Sequence, residues 1–100
     1  MTNNPSETFI EEALELLDLI ENQLVAIEKK PDDKEILNNI FRALHTIKGS
    51  GAMFGFIRLS NFTHKMESIF DEIRKEKIKI NKKIIDLTLS SCDFIHSLIM

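Results

Sequence analysis

Apolar residues recur every three or four positions in four separate segments of the chain, which is the spacing of one face of an α-helix. The pattern predicts helices over residues 6–29, 33–53, 58–76 and 82–98. The connections between them are short, and short connections favour an antiparallel up-down arrangement. We therefore predict an all-α fold, a single domain over residues 1–100 built as a four-helix bundle.

Individual residues indicate where these helices begin and end. Asn4 precedes a proline and can cap the first helix, Asp32 opens a capping-box pattern before the second, and Asn81 can cap the fourth. Gly55 best fits the stop of the second helix. The segment KEKIKIN (75–81) alternates like a strand, but a lone strand has no partner here, so we predict a helix end and a loop.

Composition and charge narrow the class of protein. Hydrophobic residues make up 43% of the chain and charged residues 29%, which fits a folded globular domain. The net charge of −3 argues against a nucleic-acid partner, and no apolar run reaches the roughly 18 residues of a membrane span. The N-terminus has no signal-peptide pattern, and the single cysteine, Cys92, suits a reducing compartment. We predict a monomeric cytoplasmic domain without a membrane partner.

One histidine of the second helix lies at the edge of its apolar face. Counting 100° per residue places His45 about 110° from the centre of that face. Arg42 and Gly49 are its neighbours on the outer side, and Lys48 follows three residues later. His45 is therefore neither a core residue nor one that points fully away from the bundle.

The third helix has a carboxylate at the equivalent edge. Glu67 lies about 110° from the apolar centre of its own helix, on the same count, and we expect it to be exposed. His64 is one turn earlier and more exposed. In an antiparallel pair of helices with a rise of about 1.5 Å per residue, His45 and Glu67 reach nearly the same height. The sequence thus predicts a surface patch with one carboxylate, two imidazoles and an ammonium.

Such a patch favours a reactive histidine. A neutral imidazole attacks through Nε2 only while Nδ1 keeps its proton, and a carboxylate that accepts the Nδ1 hydrogen holds that tautomer. Lys48 can balance the charge of an incoming phosphoryl group, and Gly49 removes bulk that would block a docking protein. The chain has no phosphate-binding loop or nucleotide motif, so partners must bring the remaining machinery.

Two stretches carry a resemblance to a known family. HTIKGSGAMFGF (45–56) and THKME (63–67) resemble the histidine phosphotransfer (HPt) domain at the N-terminus of the chemotaxis kinase CheA. The shared pattern is H-x-x-K-G, a glycine-rich turn ending in F-G-F, and H-x-x-E on the next helix. The resemblance implies that His45 is phosphorylated, that Glu67 binds its Nδ1, and that Lys48 and His64 complete the network. Gly49 is then the small residue beside the reactive ring, and we predict that Gly49, Arg42 and Phe56 contribute to docking.

The resemblance also implies a role and partners. The ATP-binding domain of the kinase, on the same or a partner subunit, would phosphorylate His45, and the group would pass to an aspartate on a response regulator of the CheY or CheB type. ATP and Mg²⁺ would be bound by that kinase domain, so we predict no cofactor here. This domain alone would act as phosphoacceptor and phosphodonor, within a parent that is a histidine protein kinase. The family domain usually has a further C-terminal helix, and the apolar end HSLIM leads us to expect that this helix is cut off.

Three alternatives remain open from the sequence. The domain can be an HPt module of a phosphorelay outside chemotaxis, or a helical interaction bundle whose patch is only a docking surface. The third is a metal site, but di-metal bundles use inward carboxylates and a repeated Glu-x-x-His motif. Here the order is reversed and occurs once, at the edge of the apolar face, so we predict no metal.

Overall fold

The computed structural model describes residues 5–100, which form four helices. Their bounds are α1 Pro5–Lys29, α2 Lys34–Met53, α3 Ile57–Arg74 and α4 Lys82–Ile99. The described part of the chain contains no strand, and residues 75–81 form turns and a loop. The predicted all-α class is confirmed. The predicted cap Asn4 lies outside the described residues.

Side-chain caps begin α2 and α4. The N-cap of α2 is Asp33, whose side chain accepts a hydrogen bond from the Ile36 amide at 3.1 Å. The prediction of Asp32 was therefore wrong by one residue, because the extended backbone at Asp33 (φ −71°, ψ 107°) places its carboxylate over the free amides of the first turn. Asn81 caps α4 as predicted, accepting from the Ile84 amide at 2.9 Å.

Left-handed residues end α2 and α3. Gly55 has a φ of 85°, and the Phe56 amide donates to the Gly51 carbonyl at 2.8 Å, which is a Schellman ending. The predicted stop at Gly55 is confirmed. Helix α3 ends at Arg74, two residues before the predicted limit of 76, because Glu76 adopts the left-handed conformation with φ 63°.

The core runs along the axis of the bundle and receives side chains from all four helices. Each helix packs against two neighbours, in the order α1–α2–α3–α4 and back to α1, and the α2–α3 pair has the most extensive contact. Leu89 of α4 is 37% exposed, whereas Thr88 beside it is buried. None of the helices in residues 5–100 is long and apolar enough to cross a membrane. The largest fully buried apolar side chains are Phe70, Ile20, Leu24, Ile27, Ile40, Leu44, Ile47, Leu59 and Ile95.

Candidate functional site

His45 lies on the exposed flank of α2, beside α3. Its side chain is 62% exposed, and its Nδ1 is hydrogen-bonded to Oε2 of Glu67. No other hydrogen bond to the ring is present among residues 5–100, so Nε2 remains available on the solvent side. The structure thus brings together the two residues that the sequence pairs across α2 and α3.

Glu67 is buried, which corrects the expectation of an exposed carboxylate. Only 6% of the residue is accessible, because His45 and Lys48 of α2 lie over it. The Lys48 ammonium donates to Oε1 at 2.8 Å, so each carboxylate oxygen has its own donor. Counting angles along α3 alone does not reveal this burial, because the covering side chains belong to α2.

The partners of Glu67 determine its charge. Burial by itself raises the pKa of Glu67, but the hydrogen bonds from Lys48 and His45 outweigh it and hold the pKa below its ordinary value. The carboxylate is therefore ionised at neutral pH and can only accept hydrogen bonds. Because it contacts Nδ1, the proton of a neutral His45 ring lies on Nδ1 and the lone pair lies on Nε2.

Three further residues, which were not predicted from the sequence, support the site. Ser60, in the first turn of α3, donates its hydroxyl to the Lys48 carbonyl at 2.9 Å and ties the two helices together. The Phe41 ring lies nearly parallel to the His45 ring, with centroids 6.2 Å apart and planes at 14°. Arg74 places its guanidinium carbon 3.8 Å from the centre of the Phe41 ring.

A sequence signal existed for only one of these three residues. Phe41 is four residues before His45, and residues at that spacing are neighbours on a helix surface. Ser60 and Arg74 belong to α3, and their contacts depend on how α3 packs against α2. The spacing of residues along one helix does not predict such contacts between helices.

The other predicted site residues lie apart from the carboxylate. His64 is exposed, and its side chain has no hydrogen bond or ion pair in the part of the chain that the structure describes. Arg42 is exposed and donates to Asn39 at 2.9 Å. The Phe56 ring is half-buried and packs on Phe9, with centroids 4.9 Å apart. The structure therefore does not bring His64 into the network, and it gives Phe56 an internal partner.

Gly49 is the predicted docking residue with the clearest surroundings. It lies on the exposed flank of α2, one turn after His45. A Cβ built at this position meets no heavy atom within 4 Å. Packing within this chain therefore does not require a glycine here, and the open space above it is accessible to another molecule. Within residues 5–100 there is no group of three or more His, Cys, Asp or Glu side chains placed to hold a metal ion.

An antiparallel four-helix bundle with an exposed histidine on a buried carboxylate is the arrangement of a phosphotransfer domain. The profile of the Hpt domain family matches residues 6–98. Because this match spans nearly the whole chain, the protein belongs to the Hpt domain family.

Individual relatives are named as a chemotaxis protein and as a sensor histidine kinase. The chain is 43% identical over 91 residues to the chemotaxis protein CheA of Borreliella burgdorferi, covering 91% of this chain and 10% of that protein. It is 39% identical over 94 residues to the sensor histidine kinase CheAY of Helicobacter pylori, covering 94% of this chain and 12% of that protein. The chain thus spans about a tenth of the length of these relatives.

A solved structure shares both the fold and the sequence pattern. The CheA phosphotransferase domain from Thermotoga maritima matches with a TM-score of 0.90 and 34% identity, over 94% of this chain and 90% of that domain. The predicted resemblance to the CheA HPt domain is confirmed.

Proposed function

We propose that this domain carries a phosphoryl group on Nε2 of His45 between the ATP-binding domain of a CheA-type histidine kinase and an aspartate on a response regulator. One observation carries the proposal: an exposed imidazole whose Nδ1 is held by a buried, ionised carboxylate, Glu67. That contact leaves the lone pair on Nε2 in solvent, where a second protein can reach it.

Phosphorylation begins with attack by His45. The Nε2 lone pair forms a bond to the γ-phosphorus of ATP, which the kinase domain binds together with Mg²⁺. The bond from phosphorus to the bridging oxygen breaks, and its electron pair leaves with ADP. The ring gains positive charge as the N–P bond forms, and the Glu67 carboxylate on Nδ1 offsets that charge.

Lys48 takes part through the same carboxylate. Its ammonium is held at 2.8 Å from Oε1 of Glu67, one helical turn from His45. There it fixes the orientation of the carboxylate, and its positive charge favours the approach of a phosphoryl group. Its half-buried position limits its reach, so we assign to Lys48 the orientation of Glu67 first and charge compensation second.

The second step transfers the phosphoryl group from His45 to the response regulator. A carboxylate oxygen of the response regulator attacks the phosphorus, the N–P bond breaks, and its electron pair returns to Nε2. The exposed ring allows the acceptor to approach along the line opposite the leaving nitrogen. Gly49, with open space above its backbone, lets that protein lie close to α2. Arg42 and Phe56 are secondary docking candidates at the edges of this surface.

The names of two relatives support a proposal for the pathway. Both relatives described above are named for chemotaxis or for a sensor kinase, so we propose that this domain serves a CheA-type kinase and regulators of the CheY or CheB type. We propose a cytoplasmic site of action, because the reaction needs ATP and the free thiol of Cys92 suits a reducing compartment.

Radiolabelling tests the first step. The domain is incubated with a CheA-type kinase core and ATP labelled in the γ-phosphate, and we expect a phosphate that is labile in acid and stable in base. The variant His45→Gln should remain folded and unlabelled. His64→Gln and His96→Gln are matched controls, since both residues are exposed histidines of the same bundle, and both variants should be labelled. Full labelling of His45→Gln would contradict the proposal.

A second experiment tests the transfer. Labelled domain, freed from kinase and ATP, is mixed with a CheY-type regulator or with its variant in which the acceptor aspartate is asparagine. We expect label to leave the domain only with the aspartate form. Retention of label with every CheY-type and CheB-type regulator, but transfer to a regulator of another kind, would place the domain in a phosphorelay outside chemotaxis.

A further inference from the structure

The aromatic contact on His45 is not explained by the phosphotransfer chemistry alone. Phe41 lies one turn before His45 on α2, and the two rings are 6.2 Å apart at an interplanar angle of 14°. This separation lies within the range of offset-stacked aromatic pairs. The Arg74 guanidinium also lies over the Phe41 ring, at 3.8 Å from its centre, a cation–π distance. Phe41 thus contacts both a cation from α3 and the reactive imidazole.

Arg74 is itself held in place. Its Nε donates to Oδ1 of Asp71 at 2.8 Å, and Lys75 binds the other oxygen, Oδ2, at 2.9 Å. These hydrogen bonds, the one from Lys75 first, lower the pKa of Asp71, so the carboxylate is ionised at neutral pH. The guanidinium is therefore fixed on one face of Phe41 although its side chain is 37% exposed.

The hydrogen bond to Glu67 restrains the His45 ring at one atom, Nδ1. Because a hydrogen bond tolerates a range of angles, the ring retains some rotation about its Cβ–Cγ bond. The Nε2 lone pair lies in the ring plane, so a swing of the ring turns the lone pair away from an incoming phosphorus. In-line attack depends on that alignment. A flat neighbour parallel to the ring restricts the swing.

We propose that Phe41, held by Arg74, is a positioning residue that fixes the plane of the His45 imidazole and so aims Nε2 at the phosphorus. The proposal rests on the proposed function of His45, and it adds a determinant of rate that lies outside the hydrogen-bonded network. Loss of the stack leaves the nucleophile and its tautomer intact. A smaller fraction of the encounters with the kinase then leads to phosphorylation.

Kinetics and NMR of Phe41→Leu test the proposal. We expect the kcat of phosphorylation by the kinase core to fall about three- to tenfold, the range that follows from the strength of one aromatic pair. The KM for the domain should stay near the wild-type value. Phe41→Tyr keeps a flat ring and should restore kcat. In long-range ¹H–¹⁵N spectra, Phe41→Leu should keep the Nδ1–H tautomer of His45 and increase the mobility of its ring.

Matched variants separate positioning from general packing. Phe62 is another half-buried phenylalanine in an aromatic pair, with Phe94 at 4.7 Å, away from His45. Phe62→Leu should leave kcat and the His45 spectrum unchanged. At the surface, Arg74→Gln and Lys75→Gln each remove one ion pair to Asp71, but only the first removes the cation from Phe41. Only Arg74→Gln should lower kcat, and this pair decides the matter if Phe41→Leu does not fold.

The outcomes distinguish this proposal from the proposed function. If the wild-type domain is not labelled at His45, the proposed function fails, whereas the ring mobility measured by NMR still reports on the stack. If the wild type is labelled and Phe41→Leu matches Phe62→Leu in kcat and in ring mobility, the positioning role is overturned. A rise in KM with unchanged kcat would also overturn it, because it would assign Phe41 to docking.

Discussion

At the scale of single residues, the site combines an exposed nucleophile with a buried carboxylate. His45 is 62% exposed at its side chain, whereas the side chain of Glu67 is 8% exposed. A carboxylate on the surface would be screened by water and free to rotate. The buried one is fixed by two donors and interacts more strongly with both of them, since the surrounding dielectric is lower.

The hydrogen bonds that Glu67 accepts from Lys48 and His45 give the domain a stability that depends on pH. The folded-state pKa lies below the ordinary value of 4.5, so the ionised carboxylate stabilises the fold above that pH. This stabilisation is lost as the pH falls through the folded-state pKa. We expect Glu67→Gln to reduce the free energy of unfolding at pH 7 by about 1–3 kcal/mol, typical of a hydrogen bond to a charged group. The difference between variant and wild type should shrink toward pH 3, measured by urea unfolding.

The control for this prediction is a carboxylate with the same chemistry and no burial. Glu11 is exposed on α1, and Glu11→Gln should change the unfolding free energy little at either pH. An equal effect of the two substitutions at pH 7 would contradict the role assigned to the hydrogen bonds from Lys48 and His45. Glu67→Ala is the less informative variant, because it also removes packing and leaves the half-buried Lys48 ammonium without its partner.

The sequence predicted which residues meet at the site and missed how deeply one of them lies. His45 and Glu67 were paired from two independent helical counts, because antiparallel helices with a fixed rise bring equal heights together. The burial of Glu67 depends on side chains that a second helix lays over it. The stack of Arg74 on Phe41 depends likewise on the packing of α3 against α2.

At the scale of elements, the α2–α3 hairpin uses its three glycines for different purposes. Gly55 has the left-handed backbone that ends α2. Gly51 is buried where α3 approaches, and a Cβ there would lie 2.7 Å from Cδ2 of Leu59. Gly49 has neither constraint, so glycine lowers the stability of α2 at this position without a compensating contact in this chain.

Alanine substitution separates Gly49 from Gly51. We expect Gly49→Ala to stabilise the domain by about 0.5–1 kcal/mol, since alanine favours a helix interior over glycine. Gly51→Ala should destabilise it by about 1–3 kcal/mol, because its methyl group overlaps Leu59. Urea midpoints of the two variants measure both effects. If Gly49→Ala is stabilised yet slower in transfer to a regulator, the glycine serves docking; destabilisation of Gly49→Ala would refute this division.

The sequence predicts where the helices begin and end better than it predicts which residues cap them. Apolar periodicity extends over many residues, so each helix was placed within two residues of its observed ends. A cap depends on the backbone of a single residue, and two adjacent aspartates, Asp32 and Asp33, gave no reason to prefer the second. The sequence gives no glycine signal for the early end of α3, because the residue with the left-handed backbone is Glu76.

At the scale of the whole molecule, the four helices share one continuous core. Buried residues of α1, α2, α3 and α4 belong to a single cluster, and each helix contacts two neighbours. A domain of this size with one core is expected to unfold in a single cooperative step. The bundle then holds the α2–α3 site rigid, because either helix can move only by disrupting that core.

The one thiol of the chain can measure this cooperativity. Cys92 of α4 is 2% exposed, and burial, with a smaller contribution from Glu21 and Asp93, raises its pKa to about 12. We expect iodoacetamide at pH 8 to modify it only after unfolding, so that the labelling rate rises with urea as steeply as the loss of helix seen by circular dichroism. Ser90→Cys adds an exposed thiol two residues earlier on α4, and that thiol should react at once in the native state. Cys92 could instead be modified rapidly without urea, at a rate that does not depend on the urea concentration. That result would mean that α4 opens alone while the site on α2 and α3 stays folded.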